Sequence, residues 1–414
     1  MEPESRLSAR SRGAPGRGND LETILIAGGG IAGLTAALAL AKTGRATAVL
    51  ERAASFAEIG AGLQVSPNAA CVLFDLGLGD ALDKAAYAPD AIHMRCGRTG
   101  RLLKRLPVGA YCRNRFGHPY RVVHRADLLR ILLNAAAGNP LISLHAAADV
   151  RAVDAAGDEI AVTTADGHAF RGAALVAADG VWSDIRAKCF DLPPALPTGR
   201  SAWRTIVPAS ALAGEHRQDI GLWMGPGAHL VHYPLRDGAL INLVAVIDDR
   251  FSERTWDGEA APEDLARAFR PWCGVAAALI DAPAAADSAW RRWPLYQTRP
   301  QACAIQAPIA LIGDAWHASL PFMAQGAAMA IEDAAVLADC FARESGPLAA
   351  IRRFQNARLV RTGRLVDLAA RNGRVYHMQG AAAFARDAAI AALPSGRLLA
   401  QFDWIYGWKP PAVT

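Results

Sequence analysis

The sequence of 414 residues has little that would serve a metal site or a disulfide framework. Its seven cysteines are spread singly without a Cys-x-x-Cys pair, and its ten histidines form no cluster at metal-ligand spacing. Isolated cysteines of this kind are typical of reduced thiols inside a cell. The sequence therefore predicts a cytoplasmic protein without a metal site.

The sequence also has little excess of positive over negative charge. The net charge is only +5 and the arginines are scattered, which argues against a nucleic-acid groove and against a polybasic membrane anchor. A composition of 52% hydrophobic and 20% charged residues is typical of a globular enzyme with a large core. Residues 1–20, which are rich in Ser, Gly, Pro and Arg, are predicted to form a disordered tail. We expect the ligands to be small molecules.

One glycine-rich turn organises the chain. An apolar run leads into Gly28-x-Gly30-x-x-Gly33, an Ala/Leu-rich run follows, and a second apolar run ends in Glu51. Between a strand and a helix, these glycines permit a sharp turn, close approach of a pyrophosphate and tight helix packing. Glu51 then accepts hydrogen bonds from the hydroxyls of an adenosine ribose. The pattern predicts a dinucleotide site.

Two other interpretations apply to the same stretch. The first is a glycine-rich turn that binds no ligand. The second is a membrane span, because residues 24–41 carry no charge and are nearly long enough to cross a bilayer. Three consecutive glycines and the sequence Lys42-Thr43-Gly44 argue against the span.

The remaining chain predicts an α/β fold, in which a Rossmann-like domain contains an inserted antiparallel β-sheet substrate domain and is followed by a C-terminal helical segment. The predicted boundaries are 21–90, 120–195 and 300–345 for the nucleotide domain, 91–119 and 196–299 for the β-sheet domain, and 346–414 for the helical segment. Residues 58–68 are predicted to be a loop that leads into a helix.

A β-hairpin is predicted in the second domain. One strand covers residues 221–236 and the next covers 239–246, with the turn at Asp237-Gly238 between them. Because side chains alternate along a strand, His229 and Tyr233 share one face while His232 points to the other. That face would carry an imidazole and a phenol.

Arg125 stands in the first turn of a helix predicted to begin near residue 122. The helix dipole disfavours a cation at that end, so the arginine indicates a bound anion. An exposed arginine with no ligand is the alternative.

Three motifs, here called stations, occur in order along the chain. They are Gly28 to Gly33 with Glu51-Arg52, then Ala178-Asp179-Gly180, and then Gly313-Asp314-Ala315 with residues 321–326. Together they resemble the motifs of the single-component FAD-dependent aromatic hydroxylases, whose fold is that of para-hydroxybenzoate hydroxylase. The resemblance covers about residues 21–390 and is strongest to the salicylate, 3-hydroxybenzoate and 6-hydroxynicotinate hydroxylases. It implies a glutathione-reductase-type FAD domain. There are two departures, since Trp316 is bulky where the family commonly has a small residue and Ala318-Ser319 replaces the frequent His-Pro continuation. The ribityl site is expected to survive, but these departures put the shape of the pocket near it in doubt.

The resemblance also implies residue roles, with Glu51 at the adenosine ribose, Arg125 near the phosphates, Asp314 at the ribityl chain and the helix from Gly326 aimed at the flavin ring. The full set expected to bind FAD is Gly28, Gly30, Gly33, Glu51, Arg52, Gly62, Arg125, Asp179, Gly180, Gly313, Asp314, Gly326 and Ala327. The expected catalytic residues are His229, Tyr233 and Pro321. For His229 a buried packing role is the alternative, and Tyr233 has the same alternative.

The implied reaction uses NADH or NADPH, O₂ and a flavin hydroperoxide to hydroxylate a phenol or hydroxypyridine, expected to carry a carboxylate as salicylate does. A near-neutral pKa would let His229 relay the phenolic proton. The alternatives are a flavoprotein reductase or halogenase on the same scaffold, and a non-catalytic nucleotide-binding module. The expected partners are the small aromatic substrate, O₂ and NAD(P)H, with a homodimer as one assembly, no nucleic acid and no transmembrane segment.

Overall fold

A computed structural model describes residues 22–57, 61–156, 159–249 and 262–411. The predicted tail at 1–20, the start of the predicted loop at 58–60 and part of a predicted turn at 157–158 lie outside these residues.

Up to residue 137 the elements are β1 (Ile24–Ala27), α1 (Ile31–Lys42), β2 (Thr47–Leu50), β3 (Gly62–Val65), α2 (Pro67–Asp75), α3 (Gly79–Ala85), β4 (Ile92–Cys96), β5 (Leu102–Leu106), α4 (Val108–Phe116), β6 (Arg121–His124) and α5 (Arg125–Ala137). The next are β7 (Ile142–His145), β8 (Val150–Ala156), β9 (Glu159–Thr164), β10 (Ala169–Gly172), β11 (Ala174–Ala177), α6 (Asp184–Phe190), β12 (Leu196–Pro208), β13 (Ile220–Gly225), β14 (Ala228–Leu235) and β15 (Leu240–Asp248). The last are α7 (Pro262–Phe269), α8 (Gly274–Ala285), β16 (Arg291–Gln297), β17 (Ile309–Leu311), α9 (Asp314–His317), α10 (Gly326–Arg343), α11 (Pro347–Tyr376), α12 (Gly380–Ala392), α13 (Ser395–Ala400) and α14 (Asp403–Tyr406).

A five-stranded sheet has the order β17-β11-β1-β2-β7, and each neighbouring pair is parallel. Every residue of β1, β2 and β11 is buried. Strands covered on both faces read as continuous apolar runs, which is why the sequence reveals them. The predicted α/β fold with a nucleotide-binding parallel sheet is confirmed.

A seven-stranded sheet has the order β16-β12-β15-β14-β13-β4-β5. It takes strands from residues 92–106 and from 196–297, although the predicted domain boundaries themselves stay predictions. The predicted antiparallel arrangement is wrong for one pair, because β13 and β4 run parallel. The hairpin of β14 and β15 is antiparallel, as predicted.

Three local predictions differ from the structure. The strand predicted over residues 221–236 is two antiparallel strands, β13 and β14, because Gly227 takes a φ of +65° and turns the chain. Residues 108–116, predicted as part of a β region, form α4, which buries Val108 and Cys112 one helical turn apart. Residues 62–65, predicted as loop, form β3, which pairs antiparallel with β6.

The C-terminal segment is helical, as predicted, and a buried ionic cluster ties α11 to α10. Arg358 of α11 lies 2.7 Å from Glu332 and 2.7 Å from Asp333 of α10. Arg361 lies 2.7 Å from Glu332 as well. Among the described residues, no helix is long and apolar enough to cross a membrane.

Candidate active site

Four predicted ligand-binding positions follow neighbouring parallel strands. In sheet order, Asp314 follows β17, Asp179 follows β11, Gly28 follows β1 and Glu51 follows β2. Adjacent strands lie about 4.8 Å apart, so the four strand ends cover about 14 Å. Open parallel sheets bind their ligands beyond these carboxyl ends. The fold therefore brings the three stations of the sequence to one edge.

The glycine turn leaves no room for a side chain at two positions. Gly28 has a φ of +109°, and a Cβ there would lie 2.3 Å from the carbonyl oxygen of Ala178. A Cβ at Gly33 would lie 1.9 Å from the oxygen of Gly28, so only glycine lets α1 approach the turn this closely. Gly30 caps α1 without a side-chain hydrogen bond, so the amino end of that helix can bind an anion.

Glu51 is held by the backbone around the turn. Its Oε2 accepts a hydrogen bond from the amide of Gly29 at 2.7 Å, and Oε1 accepts one from Ala53 at 2.8 Å. From the sequence, the hydrogen bonds of Glu51 were expected to go to a ligand. In the structure, its carboxylate also holds the glycine turn in place. Arg52 is exposed beside it.

The second station lies directly against the glycine turn. Asp179 follows Ala178, whose carbonyl meets Gly28, and Gly180 has a φ of +83°. Among the described residues, Oδ1 of Asp179 is buried and has no hydrogen-bond partner. Burial raises the pKa of this carboxyl, which suits a group that awaits a ligand's donor.

The third station leads to an uncapped helix end. The amide of Gly313 donates to Oδ2 of Asp333 at 3.0 Å, while the next side chain, Asp314, is exposed. Pro321 begins the turn before α10. That helix starts at Gly326 and Ala327 with no side-chain cap, so its first amides are free to bind an acceptor.

Gly62 of β3 contacts the seven-stranded sheet. Its amide donates to Oδ1 of Asn242 at 2.7 Å, and the ring of Tyr233 lies so close that a Cβ at Gly62 would be 2.5 Å from it. Arg125 begins α5, and its amide donates to Ala61 at 2.9 Å. Burial raises the pKa of Tyr233, so its hydroxyl stays protonated.

His229 begins a chain of three side chains. Its Nδ1 lies 2.8 Å from Nε2 of His377, and Nδ1 of His377 lies 2.8 Å from Oδ1 of Asp248. His229 is buried, whereas the side chain of Asp248 is 48% exposed. The chain therefore runs from the interior to solvent.

The electrostatics of this chain follow from burial and from Arg200. Burial, then the charges of His377 and Arg200, lower the pKa of His229 well below its ordinary value, so the near-neutral pKa expected from the sequence is wrong. Although burial opposes its ionisation, hydrogen bonds from His377 and Arg200 lower the pKa of Asp248. Near neutral pH, a neutral imidazole therefore faces an ionised carboxylate through His377.

His229 and Tyr233 share a face, as predicted, because they pair with Val246 and Asn242 of β15. Four residues along a strand place their Cα atoms about 13 Å apart, so they cannot both bond the same atom. The ring of His229 lies 5.0 Å from that of Phe322, next to Pro321. This brings the histidine to the turn that precedes α10.

Two bulky rings lie away from this face. His232 packs against His216 and Trp223 on the opposite side of the sheet, as the alternation predicts. Trp316 packs 5.8 Å from Phe354 of α11 in the core behind the parallel sheet. The ring of Trp316 therefore lies in the core and not on the face of His229.

Sequence reasoning missed His377, Asp248, Asn242 and Arg204. His377 is 148 residues from His229 and stands in a helical region with no pattern of its own, so no sequence signal points to it. Arg204 did leave a signal, since it is a charged residue within an apolar run that becomes β12.

The described residues fit a dinucleotide cofactor. The glycine turn has no side chain to obstruct a pyrophosphate, and the amino ends of α1 and α10 lack side-chain caps. Asp179 has a buried oxygen without a partner, and Asp314 is exposed at the same edge.

Comparison with known proteins agrees with this geometry. Residues 21–367 match the family described as FAD binding domain. The 3-hydroxybenzoate 6-hydroxylase 1 of Aquipseudomonas alcaligenes is 34% identical, covering 93% of this chain and 97% of the relative, and that of Polaromonas naphthalenivorans is 36% identical, covering 93% and 96%. The 6-hydroxynicotinate 3-monooxygenase of Pseudomonas fluorescens is 32% identical, covering 77% and 82%.

Two solved structures share the fold. Klebsiella pneumoniae HpxO in complex with FAD and uric acid has a TM-score of 0.82 at 24% identity, covering 94% of this chain and 98% of that one. A salicylate hydroxylase substrate complex has a TM-score of 0.78 at 22% identity, covering 96% and 100%.

Proposed function

Because this chain belongs to the FAD binding domain family and is an FAD-dependent aromatic monooxygenase, we propose that it hydroxylates a carboxylated phenol or hydroxypyridine with NAD(P)H and O₂. The relatives named for 3-hydroxybenzoate and 6-hydroxynicotinate support this substrate class. The observation that carries the mechanism is the chain His229–His377–Asp248.

We propose that FAD lies along the edge formed by the three stations. Glu51, with Arg52 beside it, would hold the adenosine ribose, and the turn of Gly28, Gly30 and Gly33 would hold the pyrophosphate. Gly62, Arg125, Asp179, Gly180, Gly313 and Asp314 would line the rest, up to the amides of Gly326 and Ala327. When bound, FAD supplies hydride acceptance from NAD(P)H and activation of O₂ for transfer to the ring.

The hydrogen-bond chain fixes which imidazole nitrogen can accept a proton. When His377 is neutral and donates its Nδ1–H to the ionised Asp248, its Nε2 is bare and accepts from Nδ1–H of His229. Nε2 of His229 is then also bare. His229 can take the phenolic proton on Nε2 while its Nδ1 proton passes to His377 and that of His377 to Asp248.

The low pKa of His229 suits transfer rather than storage of a proton. A proton resting on this buried imidazole is disfavoured, so it passes outward through His377 and the half-exposed Asp248, whose own low pKa releases it to solvent. Tyr233, about 13 Å along the strand, would donate its hydroxyl to the far side of the substrate. Pro321 would shape the turn beside His229.

The test replaces the two histidines separately, as His229→Asn and His377→Leu. Both variants should bind FAD and be reduced by NADH, because neither step needs an ionised phenol. Hydroxylation should fall by about 10²–10⁴-fold, the usual contribution of a positioned acid or base. NADH consumption should continue and yield H₂O₂, so the ratio of product to NADH is the measurement.

His232→Phe is the matched control, because His232 stands on the same strand and faces the opposite side. It should keep the wild-type ratio of product to NADH. A His229→Asn variant that stays coupled at the wild-type rate would return His229 to a packing role. Wild-type turnover that ignores every aromatic acid would favour a reductase.

The cytoplasm and a homodimer are part of the same proposal. All seven cysteines are free thiols, which is the usual state in a reducing compartment. Light scattering of the purified protein tests the dimer. Initial rates with NADH and with NADPH decide the electron donor.

A further inference from the structure

Arg204 lies on the sheet face that carries His229 and Tyr233. Across β12, β15 and β14, Arg204 pairs with Val244 and Val244 pairs with Val231, and directly paired residues share a face. Val231 is midway between His229 and Tyr233. Arg204 lies two strands away from β14, and His229 lies two residues along β14 from Val231. These two displacements place the Cα atoms of Arg204 and His229 about 12 Å apart.

Arg204 is half-buried, and its Nε has no protein acceptor among the described residues. Within the described part of the chain, its Nε is buried and has no hydrogen-bond partner. The guanidinium lies 5.5 Å from the ring centre of Trp293, which can support a cation but accepts no N–H bond in the plane of the guanidinium. Removing a guanidinium N–H from water without an acceptor costs free energy, so the unpaired Nε points to a ligand.

The surroundings of Arg204 are those of the proposed site. Burial lowers its pKa, the positive charge of Arg125 lowers it further, and Tyr233 and Asp314 act in the opposite direction. The remaining side chains of the shared face on β13 and β15 are apolar, apart from Asn242 and Asp248, and Asp248 bonds Arg200 and His377. On this face Arg200 is already bonded to Asp248 and Arg291 is exposed, so Arg204 offers a cation whose Nε has no acceptor among the described residues.

We propose that Arg204 binds the carboxylate of the aromatic substrate and so selects aromatic acids over neutral phenols. An arginine presents parallel N–H groups that match the two oxygens of a carboxylate. With the acid held at Arg204 and the hydroxyl at His229, the ring lies across Val231. This inference rests on the proposed function, because it assigns one contact of the same substrate.

The experiment combines a substitution at Arg204 with two ligands that differ only in whether they carry the carboxylate charge. Arg204→Met removes the charge at nearly constant length, and 3-hydroxybenzamide removes the charge of 3-hydroxybenzoate. Dissociation constants for both ligands are measured from the perturbation of the bound flavin's absorbance, without NADH. The control is Arg291→Met, because Arg291 pairs with Arg204 on the neighbouring strand and is exposed.

Arg204→Met should weaken 3-hydroxybenzoate binding by about 10- to 100-fold, as expected for loss of a charge-assisted hydrogen bond, and should leave binding of the amide nearly unchanged. Its flavin-free form should unfold at the wild-type temperature or higher, since a half-buried cation with an unpaired Nε has been removed. Arg204→Lys should recover part of the affinity.

Equal weakening of both ligands would overturn the proposal in favour of a packing role. Weaker FAD binding or a raised KM for NADH, with unchanged affinity for 3-hydroxybenzoate, would overturn it in favour of a cofactor phosphate. If wild-type protein binds 3-hydroxybenzoate through Arg204 but never hydroxylates an aromatic acid, the proposed function fails while this contact stands. If the wild-type protein hydroxylates neutral phenols as well as aromatic acids, the proposed contact of Arg204 with the carboxylate is wrong, although the protein is still a hydroxylase.

Discussion

Replacing Arg358 with Met should destabilise the protein and loosen the flavin site together. Arg358 is 1% exposed, and its guanidinium bonds Glu332 through Nη1 and Asp333 through Nε, both at 2.7 Å. The same carboxylate of Asp333 accepts the amide of Gly313 at 3.0 Å. Gly313 immediately precedes Asp314, so the ionic cluster holds the strand end that carries the proposed ribityl contact.

The magnitude follows from what remains after the substitution. Removing one partner of a buried ion pair costs about 3–5 kcal/mol, because a charge is left buried without compensation. Glu332 keeps two bonds from Arg361, and Asp333 keeps its 2.6 Å contact with His317. We therefore expect the low end, about 3 kcal/mol, which is a large part of the 5–15 kcal/mol typical of a folded protein.

Urea unfolding of the flavin-free protein measures the loss, and flavin absorbance after dialysis measures retention. Arg353→Met is the matched control, since Arg353 lies on the same helix in an exposed pair with Glu344 at 2.9 Å, and surface pairs contribute little. An Arg358→Met protein that unfolds at the wild-type urea concentration would refute the reasoning. Full stability with lost flavin would instead make Arg358 part of the flavin site.

Three further results are expected. Glu51→Ala should lose flavin on dialysis and also lower the stability of the flavin-free protein, because Glu51 holds the amides of Gly29 and Ala53; unchanged flavin retention would contradict its ribose role. Asp314→Ala should weaken FAD binding by about 10- to 100-fold with little change in unfolding, since its side chain is exposed; normal FAD affinity with abolished hydroxylation would reverse that role. Burial, with His216, lowers the pKa of His232 from 6.5 to about 3. Between these two pH values the unfolded chain binds a proton that the folded chain does not, so stability should fall there by about 1.4 kcal/mol per pH unit as the pH falls. His232→Phe should flatten that slope, and identical slopes in both proteins would exclude this cause.

The sequence alone determines the nucleotide-binding unit, because its signals are local. Gly28 and Gly33 are required by backbone sterics within one turn, and the acid at Glu51 stands at a fixed distance along the chain. Strands buried on both faces need continuous apolar runs, which are visible without a fold. The alternation that places His229 and Tyr233 on one face is equally local, and the pairing of β14 with β15 agrees with it.

Only the tertiary structure decides which distant side chains meet. Residues 108–116 look β-like in the sequence, yet they form a helix because burying Val108 and Cys112 against the core outweighs local preference. His377 reaches His229 across 148 residues, and nothing in the sequence around either histidine specifies that contact. In the sequence, nothing distinguishes Arg204 from the other arginines. Only the register of three strands places it on the face of His229, and only the folded structure buries its Nε without a partner in the described part of the chain. Proton transfer and substrate selection depend on such contacts because hydrogen bonds act over about 3 Å, a distance that sequence spacing does not encode.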